Sequence, residues 1–547
     1  MTTYMHYGLS DDLVLYRDIM GYWGGSPLGF SLYLQPYLSY PLAWLSAWIP
    51  GIPWFGITQL AFLWFSCVVI CKALLLLARR TGHAIWMAYG LYLLFSFAFL
   101  MERCSTITYS STAAVVMTAA VVQLFAAENP KPLKELLLSV VLIFMAYAIR
   151  ITAMLPGLLV WGAVFLFRML SVRLRRKGTV KPYLKILAIT AACFAAAVGL
   201  RTIELQNPDK QDYIRWQNDR IDLVDYTNIY AFSVEDFQSI GLSEKDLILY
   251  EGKLLWESDF TAEKLEEIQA LYDDLYANKG DTDLFSTVKT AMLKADQKYY
   301  DFPDWWRIAG LLILLAVALS FANGEKWWAQ YLLPLGIALI ALVMLGYLAV
   351  VDRYPTQALV SVLYPVIAAL MCIAFTQLPK KMNYRMILAV VIMLPCLYYS
   401  LHAAKTAYRF YTNPQPGHFQ HLFQNECTEY INQHPDQLFW IELSASDLHN
   451  TLYSDTTVTY NALPLNGWGV RSLEMAKVLR SFAVDPEHFS YSVLLREDMR
   501  IITANESPSE ALLEALSVNT DRTVIAERID TYGKLNIFRL IGESEPL

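Results

Sequence analysis

The chain has 547 residues, 56% of them hydrophobic and only 17% charged, with a mean hydropathy of +0.34. A soluble protein of this size is less apolar, so the composition describes a polytopic membrane protein and excludes an ordinary soluble domain. The formal net charge of −7 is concentrated in two long polar segments and identifies no partner; no basic tract with interleaved aromatics points to nucleic acid.

The N-terminal stretch YGLSDDLVLYRDIMGYW carries adjacent carboxylates, Asp11 and Asp12, followed by Arg17 and Asp18. The next stretch, Leu28 to Trp48, is apolar but punctuated by Pro27, Pro36, Pro41, Pro50 and Pro53. Proline removes a backbone donor and breaks helices, so this stretch reads as short interfacial helices with Trp44 and Trp48 at the headgroup level. A spanning helix needs roughly 20 mainly apolar residues. About ten segments qualify, near 54–79, 84–101, 105–127, 134–149, 152–170, 183–201, 305–321, 327–350, 356–377 and 386–404. No secretory signal pattern opens the chain.

Lys and Arg mark cytoplasmic loops. Arg79–Arg80, Lys131 and Lys134, the run from Arg168 to Lys185, Lys326, and Lys380–Lys381 with Arg385 fall in every second loop. The remaining turns, which hold Glu102–Arg103, Arg150 and Asp352–Arg353, are then outer. The two polar segments and the N-terminus share that side. An outward N-terminus of about fifty residues has no preceding span to deliver it. Either it crosses unaided, or the natural chain begins further upstream with a first helix absent here; the orientation favours the second.

The first polar segment, 202–304, is acidic and helical in pattern. TAEKLEEIQALYDDLYANKG places Leu265, Ile268, Leu271 and Leu275 on one face, with Thr261 as cap and Gly280 as stop, and SVEDFQSIGLSEKDLILY reads as two short helices around Gly241. The second, 405–547, alternates strands (QLFWIEL, SVLLRE, MRIITA, TVIAERI, KLNIFRL) with helices (SLEMAKVLRSF, SPSEALLEALSV), which predicts a small α/β domain. No glycine-rich phosphate loop follows a strand, so nucleotide binding is not expected there. Of the seven cysteines only Cys427 lies clearly in a polar segment, so no disulfide framework is expected. The organisation is therefore a first outer loop (1–53), a transmembrane bundle in two parts (54–201 and 305–404), an outer helical insertion (202–304) and an outer α/β domain (405–547).

Charges at membrane depth are costly and are commonly functional, whereas charges at the interface are cheaper and often only mark the boundary. Asp11, Asp12, Glu102, Arg103, Arg150, Asp352 and Arg353 all fall at the outer face, and one reading is that they are boundary charges paired with each other or with lipid phosphates. The other reading gathers them in one pocket. Two neighbouring carboxylates repel, so one is held by a cation, a metal or a proton. A free carboxylate can serve as general base toward a hydroxyl. The guanidinium fork suits phosphate oxygens. Carboxylates with arginines at the outer leaflet fit a lipid-phosphate donor and a hydroxyl acceptor.

The acidic first loop SDDLVLYRDIMGYW with its proline-broken interfacial helices, the AIRITAMLPGLLV turn, and DRYPTQALVSVLYP resemble the GT-C superfamily of polytopic glycosyltransferases over about residues 1–404. Within it, the chain is similar to bacterial members with an inserted outer helical loop and a C-terminal outer α/β domain. The resemblance implies a mainly α membrane protein of the bacterial cell envelope. It implies a sugar donor on a polyprenyl phosphate, transferred to a glycan or lipid acceptor with inversion. It also implies an acidic residue of the first outer loop as base or metal ligand, the position held by Asp11 and Asp12. Arg150, Arg353 and Arg103 are then the residues for the leaving phosphate, with Glu102, Asp352 and Tyr354 beside them. A divalent metal, Mg or Mn, on Asp11 and Asp12 is compatible with hard oxygen ligands but not required. The resemblance also implies a first helix ahead of this loop, which the sequence as read would lack. Two rivals need no chemistry: a transporter or flippase of lipid-linked saccharides, for which no inverted repeat or matching pair of broken helices is visible, and a non-catalytic envelope protein.

Overall fold

A computed structural model describes residues 6–7, 10–21, 26–127, 133–174, 180–277, 304–322, 329–350, 356–378, 386–412, 421–442, 459–466, 470–533 and 535–543. The fold is mainly helical, with a small five-stranded sheet near the C-terminus. Among the described residues, eight helices are long and apolar enough to cross a membrane, against the ten segments expected. The two others are shorter. Leu133–Ile149 has 17 residues, and the expected span 84–101 is an α-helix, Ile85–Phe95, that passes through a π-helical turn, Ser96–Leu100, into the short helix Met101–Ser105. The apolar stretch ahead of the bundle is one helix, Pro36–Trp48, started by its proline and carrying Trp44 and Trp48 stacked on its exposed side.

The bundle is built around the helix Tyr109–Ala126, here α6, of which 94% of the apolar window is buried. Its Ala, Ser and Thr residues let neighbouring backbones approach closely. Gly157 of the helix Ile151–Leu174 (α8) completes that packing: a Cβ there would lie 2.8 Å from Met117 Cβ and 3.2 Å from Pro365 Cγ. Hydrogen bonds between helices add to it. The Trp161 indole donates to Ser139 Oγ (2.7 Å), Ser139 donates to Ala120 O (2.7 Å), and Thr112 donates to Gln59 Oε1 (3.1 Å). Arg168, expected in a basic loop, is instead within α8, and its guanidinium donates to Leu124 O and to Ala127 O (2.6 Å) at the C-terminal end of α6. The bundle's outward face carries Leu339, Val343, Leu394 and Leu401, all exposed, as a lipid-facing surface requires.

The polar segments do not form separate cores. Trp216, Phe237, Trp256, Phe260 and Leu265 of the first pack in one cluster with Trp440, Leu463, Leu479, Ile501 and Phe538 of the second. The two segments therefore lie on one side of the bundle. The sheet has the order β4-β3-β5-β7-β6, with β3 (Leu438–Ile441) parallel to β4 (Ala462–Pro464) and to β5 (Met499–Thr503). β6 (Thr523–Tyr532) and β7 (Leu535–Glu543) are antiparallel and join at Gly533, whose φ is 62°. The expected strand at SVLLRE is a 3-10 turn, Tyr491–Leu495, because the Tyr491 N–H is taken by Glu257 of the other segment (2.8 Å). The two short helices around Gly241 form as expected, each with a capping box, Ser233/Asp236 and Ser243/Asp246. The helix Ala262–Ala277 is capped by Thr261, while Gly280 lies outside the described residues.

Arg471 holds the segments together. It donates to Phe260 O (3.0 Å), Trp256 O (3.0 Å) and Glu257 O, and stacks over Trp216 at 4.8 Å. Burial lowers the affinity of this guanidinium for its proton, which leaves it to its hydrogen bonds to offset the loss of hydration. Orphaning buried acceptors costs about 1–3 kcal/mol each. Arg471→Ala is expected to free the 208–277 helices from the sheet, seen as protease cleavage within 208–277 at concentrations that leave the wild type intact.

Candidate functional site

The site is assembled at the N-terminal end of α6. The helix α1 (Ser10–Met20) is preceded by the strand β1 (His6–Tyr7), which pairs in parallel with β2 (Thr106–Ile107) through His6↔Thr106 and Tyr7↔Ile107. That pairing brings α1 beside the start of α6. Asp12 is fully buried there, and its Oδ1 accepts the Tyr109 backbone N–H at 2.6 Å. The neighbouring cap is Thr108, whose hydroxyl accepts from Ser111 N–H (3.0 Å). The first turn of a helix offers unpaired N–H groups and positive potential, so it is a natural seat for a carboxylate.

Arg150 reaches the same place from the turn between the helices Leu133–Ile149 and α8. Its guanidinium lies 4.6 Å from the Tyr109 ring and 4.6 Å from the Tyr33 ring, and its Nε–H donates to Thr152 Oγ1 (2.9 Å). Tyr109 thus meets Asp12 through its backbone and Arg150 through its ring. The loop that carries Tyr33 is held by Gln35 N–H donating to Ala148 O (2.9 Å), and by Arg201, which donates to Leu32 O (3.3 Å) and stacks over Phe30. Arg103 is buried one strand before α6, with its guanidinium 5.9 Å from the Trp305 ring.

So of the residues nominated from the sequence, Asp12 and Arg150 meet at Tyr109, and Arg103 lies against Trp305. The backbones of Asp11 and Glu102 are helical, but their side chains lie outside the described residues, as do Asp352, Arg353 and Tyr354 altogether. Among the described residues no group of three or more His, Cys, Asp or Glu gathers to hold a metal ion.

A second group of charges, not picked out from the sequence as a site, sits at the other end of α1. Gly21, with φ 74°, ends the helix; a Cβ there would lie 2.3 Å from the Ser26 carbonyl carbon, so only glycine permits the return of the chain. Asp18 O accepts from Gly21 N–H and Leu28 N–H. The Asp18 carboxyl is pushed up to about 8, chiefly by burial and also by Glu474, against the opposing pull of Arg17. Glu474 opens the helix Leu473–Ser481 of the sheet-bearing unit and accepts from Ser26 Oγ (3.0 Å) and Lys477 Nζ (2.8 Å). Tyr213, also raised by burial and by Asp18, accepts from Gln217 Nε2 (3.2 Å), which also donates to Val470 O. Here α1 meets the unit above the bundle. These partners are separated by hundreds of residues, and no local spacing signals them.

Because the folded state holds the proton on Asp18 more tightly than the unfolded chain does, this group favours folding least when it must ionise. Its unfavourable contribution is absent below the unfolded value of 3.8, grows as pH rises and is complete above about 8. The wild type is expected to lose thermal stability between pH 5 and pH 9, and Asp18→Asn to flatten that slope, with its largest gain in melting temperature at pH 9. Equal effects at the two pH values would refute this.

No protein-family model matches the chain, and no curated protein matches it in sequence. Among solved structures the chain is similar to ArnT from Cupriavidus metallidurans, both in the apo state and bound to undecaprenyl phosphate. In each case the TM-score is 0.45 and the identity 12%, over 98% of this chain and 94% of that one.

Proposed function

We propose that this protein is a membrane glycosyltransferase of the GT-C type, moving a sugar from a polyprenyl-phosphate donor to a hydroxyl of an envelope glycan or lipid at the outer face. The observation that carries this reading is the meeting of a buried carboxylate, Asp12, and a guanidinium, Arg150, at Tyr109, on the side of the bundle covered by the polar unit. A transfer of this kind needs both groups. In a single displacement the acceptor oxygen attacks the anomeric carbon as a carboxylate takes its proton. The bond from that carbon to the phosphate oxygen breaks with its electron pair, through an oxocarbenium-like state, and configuration inverts. The charge that grows on the leaving phosphate is stabilised by fixed cations.

Asp12, or Asp11 on the same helix, takes the role of base in this scheme. A carboxylate has two oxygens, and a bond that fixes one also orients the other. Arg150 takes the role of phosphate ligand, with Arg103 as a further cation; Arg353, Glu102, Asp352 and Tyr354, nominated from the sequence for the same pocket, have side chains outside the described residues. Outward placement is supported by the charge pattern: the long helix Trp54–Thr81 ends in Arg79 and Arg80 at the end of the bundle away from the polar unit.

The test is transfer by the purified full chain from a panel of polyprenyl-phosphate sugars. Asp12→Asn keeps an oxygen for the Tyr109 N–H and removes the charge. Loss of general-base catalysis is expected to lower turnover about 10²–10⁴-fold without loss of folded protein. Arg150→Gln is expected to cost about 10²-fold, the scale of one lost charge-stabilising group. Near-normal transfer by an Asp11→Asn, Asp12→Asn double variant would sink the assignment. Donor translocation into sealed vesicles without sugar transfer would favour the flippase reading instead.

A further inference from the structure

Cys67 lies midway along the helix Trp54–Thr81, and Cys104 lies in the short helix Met101–Ser105, directly after Arg103 and just ahead of β2. The side chains of Cys67 and Cys104 interact directly with each other, and Tyr92 stands near both. The two thiols are half-buried, whereas Cys372, Cys396 and Cys427 are closed off in the interior. Cys71 follows Cys67 by one helical turn, and Cys193 is exposed on a different helix, Lys181–Glu204. Two thiols from different elements, in contact and within reach of a small reagent, are the starting point for a disulfide.

The π-helical turn Ser96–Leu100 is what brings the pair together. Tyr92 belongs to the α-helix before it, Ile85–Phe95, and Cys104 to the helix after it. In an unbroken α-helix, which turns about 100° per residue, Cys104 would stand about 120° around the axis from Tyr92. A π-turn inserts about one extra residue and sets the following chain back by about 100°, so Cys104 comes to within about 20° of the Tyr92 face. That face is the one turned to Cys67. The short helix then runs straight into β2, which touches the helix Trp54–Thr81 and pairs with β1. Whatever fixes Cys104 therefore fixes the root of the dock that carries α1 and Asp12 to the start of α6.

We propose that Cys67 and Cys104 are a redox-active pair, and that their disulfide staples the short helix Met101–Ser105 and β2 to the helix Trp54–Thr81. The oxidant is a disulfide, either a small molecule or one carried by a thiol oxidoreductase. One protein thiolate attacks a sulfur of that disulfide and releases the first thiol; the second protein thiolate attacks the mixed disulfide and releases the other. The two protein thiols lose two protons and two electrons, and the oxidant's S–S bond is reduced to two thiols. A cross-link between elements that meet only in the folded bundle removes freedom chiefly from opened states, so it holds the dock shut. Nothing in this chemistry depends on the sugar transfer proposed above.

The test treats the full chain in detergent with 4,4′-dipyridyl disulfide and maps its peptides without reduction. A peptide joining Cys67 to Cys104 and carrying no pyridyl group is expected, with Cys193 bearing a stable pyridyl adduct instead; a dithiol should restore both thiols. Cys104→Ser should leave Cys67 with an adduct, and Cys71→Ser should leave the cross-link intact. Hydrogen exchange of the amides in 104–109 is expected to slow about tenfold or more on oxidation, the scale of a modest disulfide stabilisation. Cys67→Ser, a near-isosteric change, should show no such slowing with the same reagent. Separate adducts on Cys67 and Cys104, unreacted thiols at both, or a link from Cys67 to Cys71 would overturn the pair. Exchange that is unchanged by the cross-link, or that slows equally in Cys67→Ser, would overturn the staple.

Discussion

The bundle depends on how the two ends of its most buried helix are satisfied. A helix in a water-free interior leaves N–H groups at its start and carbonyls at its end, and each one left unpaired costs about 1–3 kcal/mol. For α6 the start is met by the Asp12 carboxylate and the Thr108 hydroxyl, and the end by the Arg168 guanidinium. The charges match the helix dipole, negative at the N-terminus and positive at the C-terminus. Both come from elsewhere in the chain, Asp12 from 97 residues upstream and Arg168 from 41 residues beyond Ala127. One requirement of backbone chemistry thus docks α1 against the bundle and fixes α8 along α6. The close approach at Gly157 and the Trp161–Ser139–Ala120 bonds then follow from that contact.

The same requirement places unlike charges near each other where a site can form. Arg150 cannot enter the first turn of α6, where the dipole repels it, so it lies on the ring of Tyr109 rather than at its N–H. Carboxylate and guanidinium thus meet at one residue, the first through its backbone N–H and the second through its ring.

Much of the bundle was legible in hydropathy. Eight spans lie where apolar runs predict them, because bilayer thickness sets a length that composition alone reveals. The π-helical break at Ser96–Leu100 was not legible, since nothing in SFAFL departs from an ordinary helical run. Strands flanked by turn residues, such as Met499–Thr503 and Thr523–Tyr532, were readable, whereas Tyr491–Leu495 was not: its alternation suits a strand, but a carboxylate from another segment claims its backbone. The shared core of the two polar segments was hidden for the same reason. For the site, the sequence exposed charges at turns, which led to Asp12, Arg103 and Arg150. It did not expose their neutral partners Tyr33, Tyr109 and Trp305, which look like ordinary membrane-interface aromatics, nor pairs such as Asp304 and His402, 98 residues apart.

The position of α1 links the two halves of the molecule mechanically. Its first turn carries Asp12 into the bundle, and its C-terminal end carries Asp18 toward Glu474 of the sheet-bearing unit. Eleven residues of helix span about 16 Å, and a helix this short moves as a rigid body. A shift of the upper unit at Ser26 and Glu474 must therefore reach Asp12 as a tilt of α1, unless the return loop after Gly21 absorbs it. Gly21 and Leu28, on either side of that loop, both donate to Asp18 O. The polar unit is thus more than a cover: one short helix joins its contact at Glu474 to the seat of the buried carboxylate at the start of α6.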